Sequence, residues 1–210
     1  MARILIADDH AVVRKGLVQI ISETLDLKVT AEASSGLEVL DRVREQPFDV
    51  VVLDLNMPDQ SGLDTLKQLK AEHPDLPVLV LSMYGEEQYA VRVLRAGASG
   101  YLTKESAPDQ LVHAVRKVAA GRKYVSAAVA DRLLDLLDTD ADQPLHSSLS
   151  DREFQVMRLL AGGKTVTEIA ETLSLSVKTV STYRARVLEK MNMKSNAELA
   201  RYALENELIL

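Results

Sequence analysis

Residues 50–55 read Val-Val-Val-Leu-Asp-Leu, with Pro47 shortly before the run and Met57-Pro58 just after it. Unbroken aliphatic residues between turn signals describe a strand buried on both faces of a parallel sheet, because a strand with one wet face would alternate. Asp54 closes the run. Ligands of open α/β sheets bind in the crevice beyond the C-terminal strand ends, so Asp54 stands where such proteins place their chemistry. Taken alone, it reads equally well as a turn former or a helix N-cap.

Other strand ends make the same kind of delivery. Arg3–Ala7 runs into Asp8-Asp9, Val78–Leu81 runs into Ser82, and Gly100–Leu102 runs toward Lys104. In a doubly wound sheet these ends face one crevice. Clustered carboxylates at Asp8, Asp9 and Asp54 repel one another and raise one another's pKa, a costly arrangement unless a cation sits among them. All-oxygen ligands suit Mg²⁺. Opposite the metal, Lys104 and the Ser82 hydroxyl would cradle an anion held on Asp54. Each residue also has a plainer reading: Ser82 as an N-cap, Tyr101 as an edge-strand aromatic, and His10 as a solvated histidine at a helix start.

Along the chain, helical and strand periodicities alternate. His10–Leu25 places Val13, Leu17, Ile20 and Ile21 at core spacing with Arg14-Lys15 outward; Lys28–Ala33 is a strand, and Gly36–Glu45 an amphipathic helix. Helices over Leu63–Glu72, up to Arg95 and over Ala107–Ala120 complete the repeat, the last with Leu111, Ala114, Val115 and Val118 on one face and Gly121 as its stop. Right-handed crossovers then build one doubly wound, five-stranded parallel sheet. Residues 126–137 carry a further apolar helical stripe that must pack on this domain or on a partner. Residues 138–148 are acidic, contain Pro144 and lack periodicity, as a linker does.

From Leu149 onward the signals are helical throughout. Ser150-x-x-Glu153, Thr165-x-x-Glu168 and Ser195-x-x-Glu198 fit the capping box, and Ser176 is an N-cap, predicting helices over 151–161, 166–173, 177–190 and 196–206. Ser174-Leu175 is a tight helix-turn-helix connection. A dimerisation bundle is the alternative. Charge bears on the choice: residues 1–125 hold 15 basic against 18 acidic side chains, 126–148 hold 1 against 5, and 149–210 hold 9 against 8. Within the last piece, residues 164–194 carry 6 basic side chains and 3 acidic ones, a modest footprint for phosphate contacts. There are no cysteines, so disulfides and thiolate chemistry are excluded. The N-terminal apolar stretch is too short for a signal segment and no run approaches a membrane span, so a soluble cytoplasmic chain is expected.

These residues carry a resemblance. Asp8-Asp9, the run Asp54-Leu55-Asn56-Met57-Pro58-Asp59-Gln60-Ser61-Gly62, Ser82, Tyr101, and Lys104 with Pro108 following resemble the receiver domain of two-component response regulators. Leu149-Ser150-Asp151-Arg152-Glu153, Glu168-Ile169-Ala170, Leu173, Leu175-Ser176 and Lys178-Thr179-Val180 resemble the LuxR-type DNA-binding domain. The whole chain thus looks like the NarL/FixJ subfamily. That implies a flavodoxin-like receiver over 1–123, a linker helix and acidic linker over 124–148, and a small all-α helix-turn-helix domain over 149–210.

The resemblance further implies that Asp54 is the phosphoacceptor, that Asp9, Asp54 and the Asn56 carbonyl ligate Mg²⁺ with Asp8 acting mainly through water, and that Ser82, Tyr101 and Lys104 are switch residues. The helix from Val177 to Met191 would enter the major groove. Its candidate DNA contacts are Lys178, Thr179, Ser181, Thr182, Arg184, Arg186 and Lys190, with Val180, Val187 and Met191 in the core. Thr167 and Tyr183 depart from the family pattern at a usual cation and a usual histidine. The expected partners are a sensor histidine kinase, double-stranded promoter DNA, a second copy of the chain once phosphorylated, and RNA polymerase, with no membrane. The chain would be no enzyme beyond turning over its own phosphoryl group. The rival is a Mg²⁺-dependent phosphohydrolase with a nucleophilic aspartate, which would need a carboxylate where Asn56 stands.

Overall fold

A computed structural model of the chain describes residues 1–57, 62–83, 86–127, 129–131, 144–206 and 208–209. Two compact units result, Met1–Asp138 and Thr139–Leu210.

In the first unit, β1 (Ala2–Ala7), β2 (Leu27–Ala33), β3 (Val50–Asp54), β4 (Val78–Ser82) and β5 (Gly100–Thr103) form a five-stranded sheet in the order β2-β1-β3-β4-β5. Every pairing is parallel. All of β3 and β4 is buried, as their unbroken aliphatic sequences require. Helices α1 (Ala11–Ser22), α2 (Gly36–Glu45), α3 (Gly62–Glu72), α4 (Glu86–Arg95) and α5 (Ala107–Ala119) are the crossovers. On one face Ile4, Ile6, Val50, Val52, Leu79 and Leu81 form a single core with Leu17 and Ile21 of α1 and with Leu111, Ala114, Val115 and Val118 of α5. Each such aliphatic side chain contributes roughly 1.5–3 kcal/mol when fully buried. Because β1 lies between β2 and β3, the strand order reverses between β1 and β3, and the crevice opens beyond their C-terminal ends.

Two details depart from the sequence expectation. Arg14 does not face outward: its guanidinium donates to the Asp8 carbonyl at 2.6 Å and to Glu32 at 2.9 Å. The strand end satisfies its free carbonyl with the nearest cation of α1, and the long stem reaches it. The second is a ribbon after α5. Tyr124 pairs in parallel with Gly100; its carbonyl accepts from the Tyr101 amide at 3.0 Å, and its amide donates to the Ser99 carbonyl at 3.0 Å. Groups on the outer edge of β5 are thereby paired. A side chain at Gly100 would meet the Tyr124 carbonyl at 2.8 Å, so only glycine admits the ribbon.

Residues 127 and 129–131 of the expected linker helix are helical and Val129 is buried, while 128 and 132–143, including the expected acidic linker, lie outside the described residues. In the second unit, α6 (Asp151–Ala161), α7 (Val166–Thr172), α8 (Val177–Lys190) and α9 (Asn196–Glu205) follow a 3-10 turn over Leu145–Ser148. That turn falls in the stretch read as linker, yet it is docked: His146 Nδ1 lies 2.9 Å from the Tyr202 hydroxyl, and its ring packs on Phe154. The capping boxes at Ser150 and Thr165 are both formed. At Ser195 the reciprocal bond differs, since Glu198 accepts from the Lys194 amide instead. Ser174, with φ of 53°, makes the turn between α7 and α8 and lets the Leu175 amide reach the Ala170 carbonyl at 2.9 Å.

Candidate acidic site and nucleic-acid interface

Asp54 ends β3 and Asp8 follows β1 directly; both carboxylates are fully buried. Lys104, one residue beyond β5, places Nζ 2.8 Å from Asp54 Oδ2 and 2.7 Å from Asp8 Oδ2. The backbone positions it, because the Lys104 amide donates to the Ser82 carbonyl at 2.8 Å and Ser82 pairs in register with Thr103. Ser82 and Tyr101 are buried on β4 and β5, and Asn56 is half-buried just past β3. Asp9 is exposed at the rim, with His10 Nδ1 2.6 Å from its Oδ1. Pro58–Ser61 and Tyr84-Gly85, part of the motifs read from the sequence, lie outside the described residues.

Burial pushes the Asp54 carboxyl up to about 6, against the pull of Lys104 and with help from the neighbouring Asp8 charge. Burial also works against the Lys104 ammonium, but Asp54 and Asp8 outweigh it and hold its pKa above the usual lysine value. The site is thus a carboxylate cluster compensated by one lysine. Asp54 Oδ1, though buried, has no hydrogen-bond partner among the described residues. One ligand atom each from Asp8, Asp9, His10 and Asp54 lies within 4.8 Å of the others. An unsatisfied buried carboxylate oxygen beside further oxygens fits a divalent cation.

Gly62 explains part of the motif. A side chain there would stand 2.1 Å from the Asp54 carbonyl and 2.6 Å from Leu55 Cα, so the start of α3 can lie against the loop that carries Asp54 only without a Cβ. The Gly62 amide donates to the Leu55 carbonyl at 3.0 Å. Two residues do more than the sequence reading gave them: His10, read as a solvated histidine at a helix start, also joins the carboxylates, and Arg14, read as facing outward, holds the Asp8 backbone. The available signal was their place on the first turns of a helix that starts at the acidic pair.

In the second unit, α8 buries Val180, Val187 and the flanking Met191 and exposes Lys178, Ser181, Thr182, Ala185, Arg186 and Glu189. Ser176 caps the helix by accepting from the Thr179 amide at 3.0 Å, and the Thr182 hydroxyl donates to the Lys178 carbonyl at 3.0 Å. The cations divide into two groups. Arg184 Nε donates to Asn196 Oδ1 at 2.8 Å, and Lys190 Nζ lies 2.6 Å from Glu153 Oε2. Among the described residues, no ion pair or side-chain hydrogen bond holds the Lys178 and Arg186 side chains.

Comparison with known proteins covers both units. Residues 4–116 match the response regulator receiver domain, and residues 147–203 match the bacterial regulatory proteins of the luxR family. The chain is 37% identical over 210 residues to the response regulator GacA of Pseudomonas viridiflava, covering 100% of this chain and 98% of that one. It is 39% identical over 215 residues to the oxygen regulatory protein NreC of Staphylococcus epidermidis, covering 99% of each. Among solved structures, RcsB of Salmonella enterica bound to a promoter in the presence of the phosphomimetic BeF3⁻ matches with a TM-score of 0.61 at 27% identity, over 96% of this chain and 97% of that one.

Proposed function

Because this chain belongs to the response regulators that join a receiver domain to a luxR-family DNA-binding domain, we propose that phosphorylation of Asp54 switches its binding to promoter DNA. It is a DNA-binding transcriptional regulator of that family. The observation that carries the switch is the placement of Asp54: at the end of the central strand, buried, with Lys104 on one carboxylate oxygen and, among the described residues, no hydrogen-bond partner for the other.

An oxygen of Asp54 forms a bond to phosphorus as the P–N bond of a kinase phosphohistidine breaks, and the electron pair leaves on the imidazole. With a carboxyl pKa of about 6, Asp54 is mostly ionised at neutral pH and able to attack. Asp8, Asp9, Asp54 and the Asn56 carbonyl would hold Mg²⁺, Asp8 through water, and the ion when bound offsets charge on the transferring oxygens. Lys104 turns from the carboxylates to a phosphoryl oxygen, and the Ser82 hydroxyl donates to another. The receiver positions and neutralises without covalent help from other side chains. Tyr101 follows Ser82, and the new contacts bias a pre-existing equilibrium of the receiver surface toward the dimer.

A homodimer presents two copies of α8 to two half-sites of the operator. Lys178 and Arg186 contact phosphates, with Thr179 and the α8 N-terminus beside them, while Ser181 and Thr182 face base edges. Arg184 and Lys190 are held by Asn196 and Glu153 and reach phosphates only if these release them. RNA polymerase is the partner downstream. We place the receiver at 1–123, the linker from 124 and the DNA-binding domain at 149–210, with the turn over Leu145–Ser148, first read as linker, belonging to the DNA-binding domain on which it packs, all in the cytoplasm. Among the described residues no helix is long and apolar enough to cross a membrane. Hydrolysis of an outside phosphate ester is not favoured, since Asn56 supplies no carboxylate for it.

The test is acetyl phosphate with Mg²⁺ and intact-mass spectrometry. The parent gains one phosphoryl group and Asp54→Asn gains none; the same added mass on the variant would overturn the assignment.

A further inference from the structure

We propose that His10 is an additional ligand of the acidic site, admitting nitrogen-seeking divalent transition ions such as Co²⁺ and Ni²⁺ that an all-oxygen site would hold less well. The inference rests on the cation reading of that site given above.

His10 Nδ1 lies 2.6 Å from Asp9 Oδ1 and 3.5 Å from Asp8 Oδ1, and it belongs to the set whose ligand atoms all fall within 4.8 Å. Asp54 Oδ1, buried and without a hydrogen-bond partner among the described residues, belongs to the same residue cluster. Its backbone is tethered, because the His10 amide donates to Asp8 Oδ1 at 2.8 Å. The ring itself is 65% exposed, so it turns about its side-chain bonds without disturbing the core. An entering cation takes Asp9 away from the imidazole; with its proton carried on Nε2, Nδ1 then offers a lone pair to the same ion. Imidazole suits the later first-row ions, whereas Mg²⁺ keeps oxygen ligands and several waters. The competing role is orientation alone, in which His10 only donates a hydrogen bond to Asp9.

Asparagine separates the two roles, since it retains a donor for Asp9 but offers no imidazole nitrogen. The full-length chain and His10→Asn are titrated calorimetrically with Mg²⁺ and with Co²⁺, and proton spectra of the Co²⁺ forms are recorded in water. The expected result is a Co²⁺ Kd weakened about tenfold or more in His10→Asn, with the Mg²⁺ Kd changed less than twofold. A paramagnetically shifted imidazole N–H should appear in the parent and vanish in the variant. Equal weakening for both ions, or a shifted imidazole signal that survives, would overturn the proposal while leaving the cation site intact. A parent chain that binds neither ion would instead overturn the cation site itself, and His10's role with it.

Discussion

Lys190 Nζ lies 2.6 Å from Glu153 Oε2, tying the last turn of α8 to the first turn of α6. The same oxygen accepts from the Ser150 amide at 2.7 Å, so one buried carboxylate closes the cap of α6 and anchors the DNA-facing helix. Burial works against its charge, but Lys190 and the Ser150 amide win, and the Glu153 pKa falls below the usual glutamate value. A depressed carboxyl contributes stability that is present above the unfolded pKa of about 4.5 and is lost as pH falls through the lower folded value. We therefore expect Glu153→Gln to lower the stability of the C-terminal unit by about 1–3 kcal/mol at pH 7. The difference should shrink below pH 4.5. Calorimetry of the full chain at both pH values checks this; a pH-independent difference would remove the ion pair from the explanation.

Salt dependence should separate the cations of α8. Lys178→Ala and Arg186→Ala should each lower the salt slope of DNA binding by about 1 and weaken operator and unrelated duplex alike. Lys190→Ala, whose cation is already held by Glu153, should leave the slope nearly unchanged. Replacing Ser181 or Thr182 should alter which sequences are preferred, by about 1–3 kcal/mol per lost base-pair preference. An unchanged slope for Lys178→Ala would assign the faces of this helix the other way round.

Gly62→Ala should damage the acidic site without touching any of its side chains. The added methyl meets the Asp54 carbonyl and Leu55 Cα, which are backbone atoms and cannot rotate aside. A loss of about 1–3 kcal/mol is expected from overpacking, together with slower phosphorylation of Asp54. Thermal melts and acetyl phosphate labelling, run side by side, test the pair of effects. Parent-like labelling would mean that the loop absorbs the shift elsewhere.

Lys104→Ala and Ser82→Ala should retain some phosphorylation, since neither supplies the attacking oxygen, yet lose the link between phosphorylation and dimerisation. Without Lys104, Asp8 and Asp54 share a buried site with no cation, and labelling should depend more steeply on Mg²⁺. Sedimentation of the phosphorylated variants gives the answer. Parent-like dimers in both would show that the switch runs through other residues.

Much of this molecule was legible in one dimension. The uninterrupted aliphatic strands β3 and β4 dictated a parallel sheet buried on both faces, because neither alternates in a way that would leave a face wet, and the acidic residues at strand ends located the crevice. Serine, threonine and glutamate at three-residue spacing announced α6 and α7 because a capping box is closed by residues close in sequence. What the sequence could not decide were relations between residues far apart along the chain. Whether a cation on α8 is offered to DNA or held by Glu153 depends on how α6 crosses α8, and nothing local to Lys190 records it. His10 joins Asp54, and Gly62 lies against the Asp54 carbonyl, only once β1, β3 and α3 have packed. The edge ribbon at Tyr124 needs a bare Gly100 to lie against. Local hydrogen bonds and periodicity are set by neighbours in sequence, so the chain alone determines them; ion pairs, close approaches and shared ligands are set by packing, and only the tertiary structure decides them.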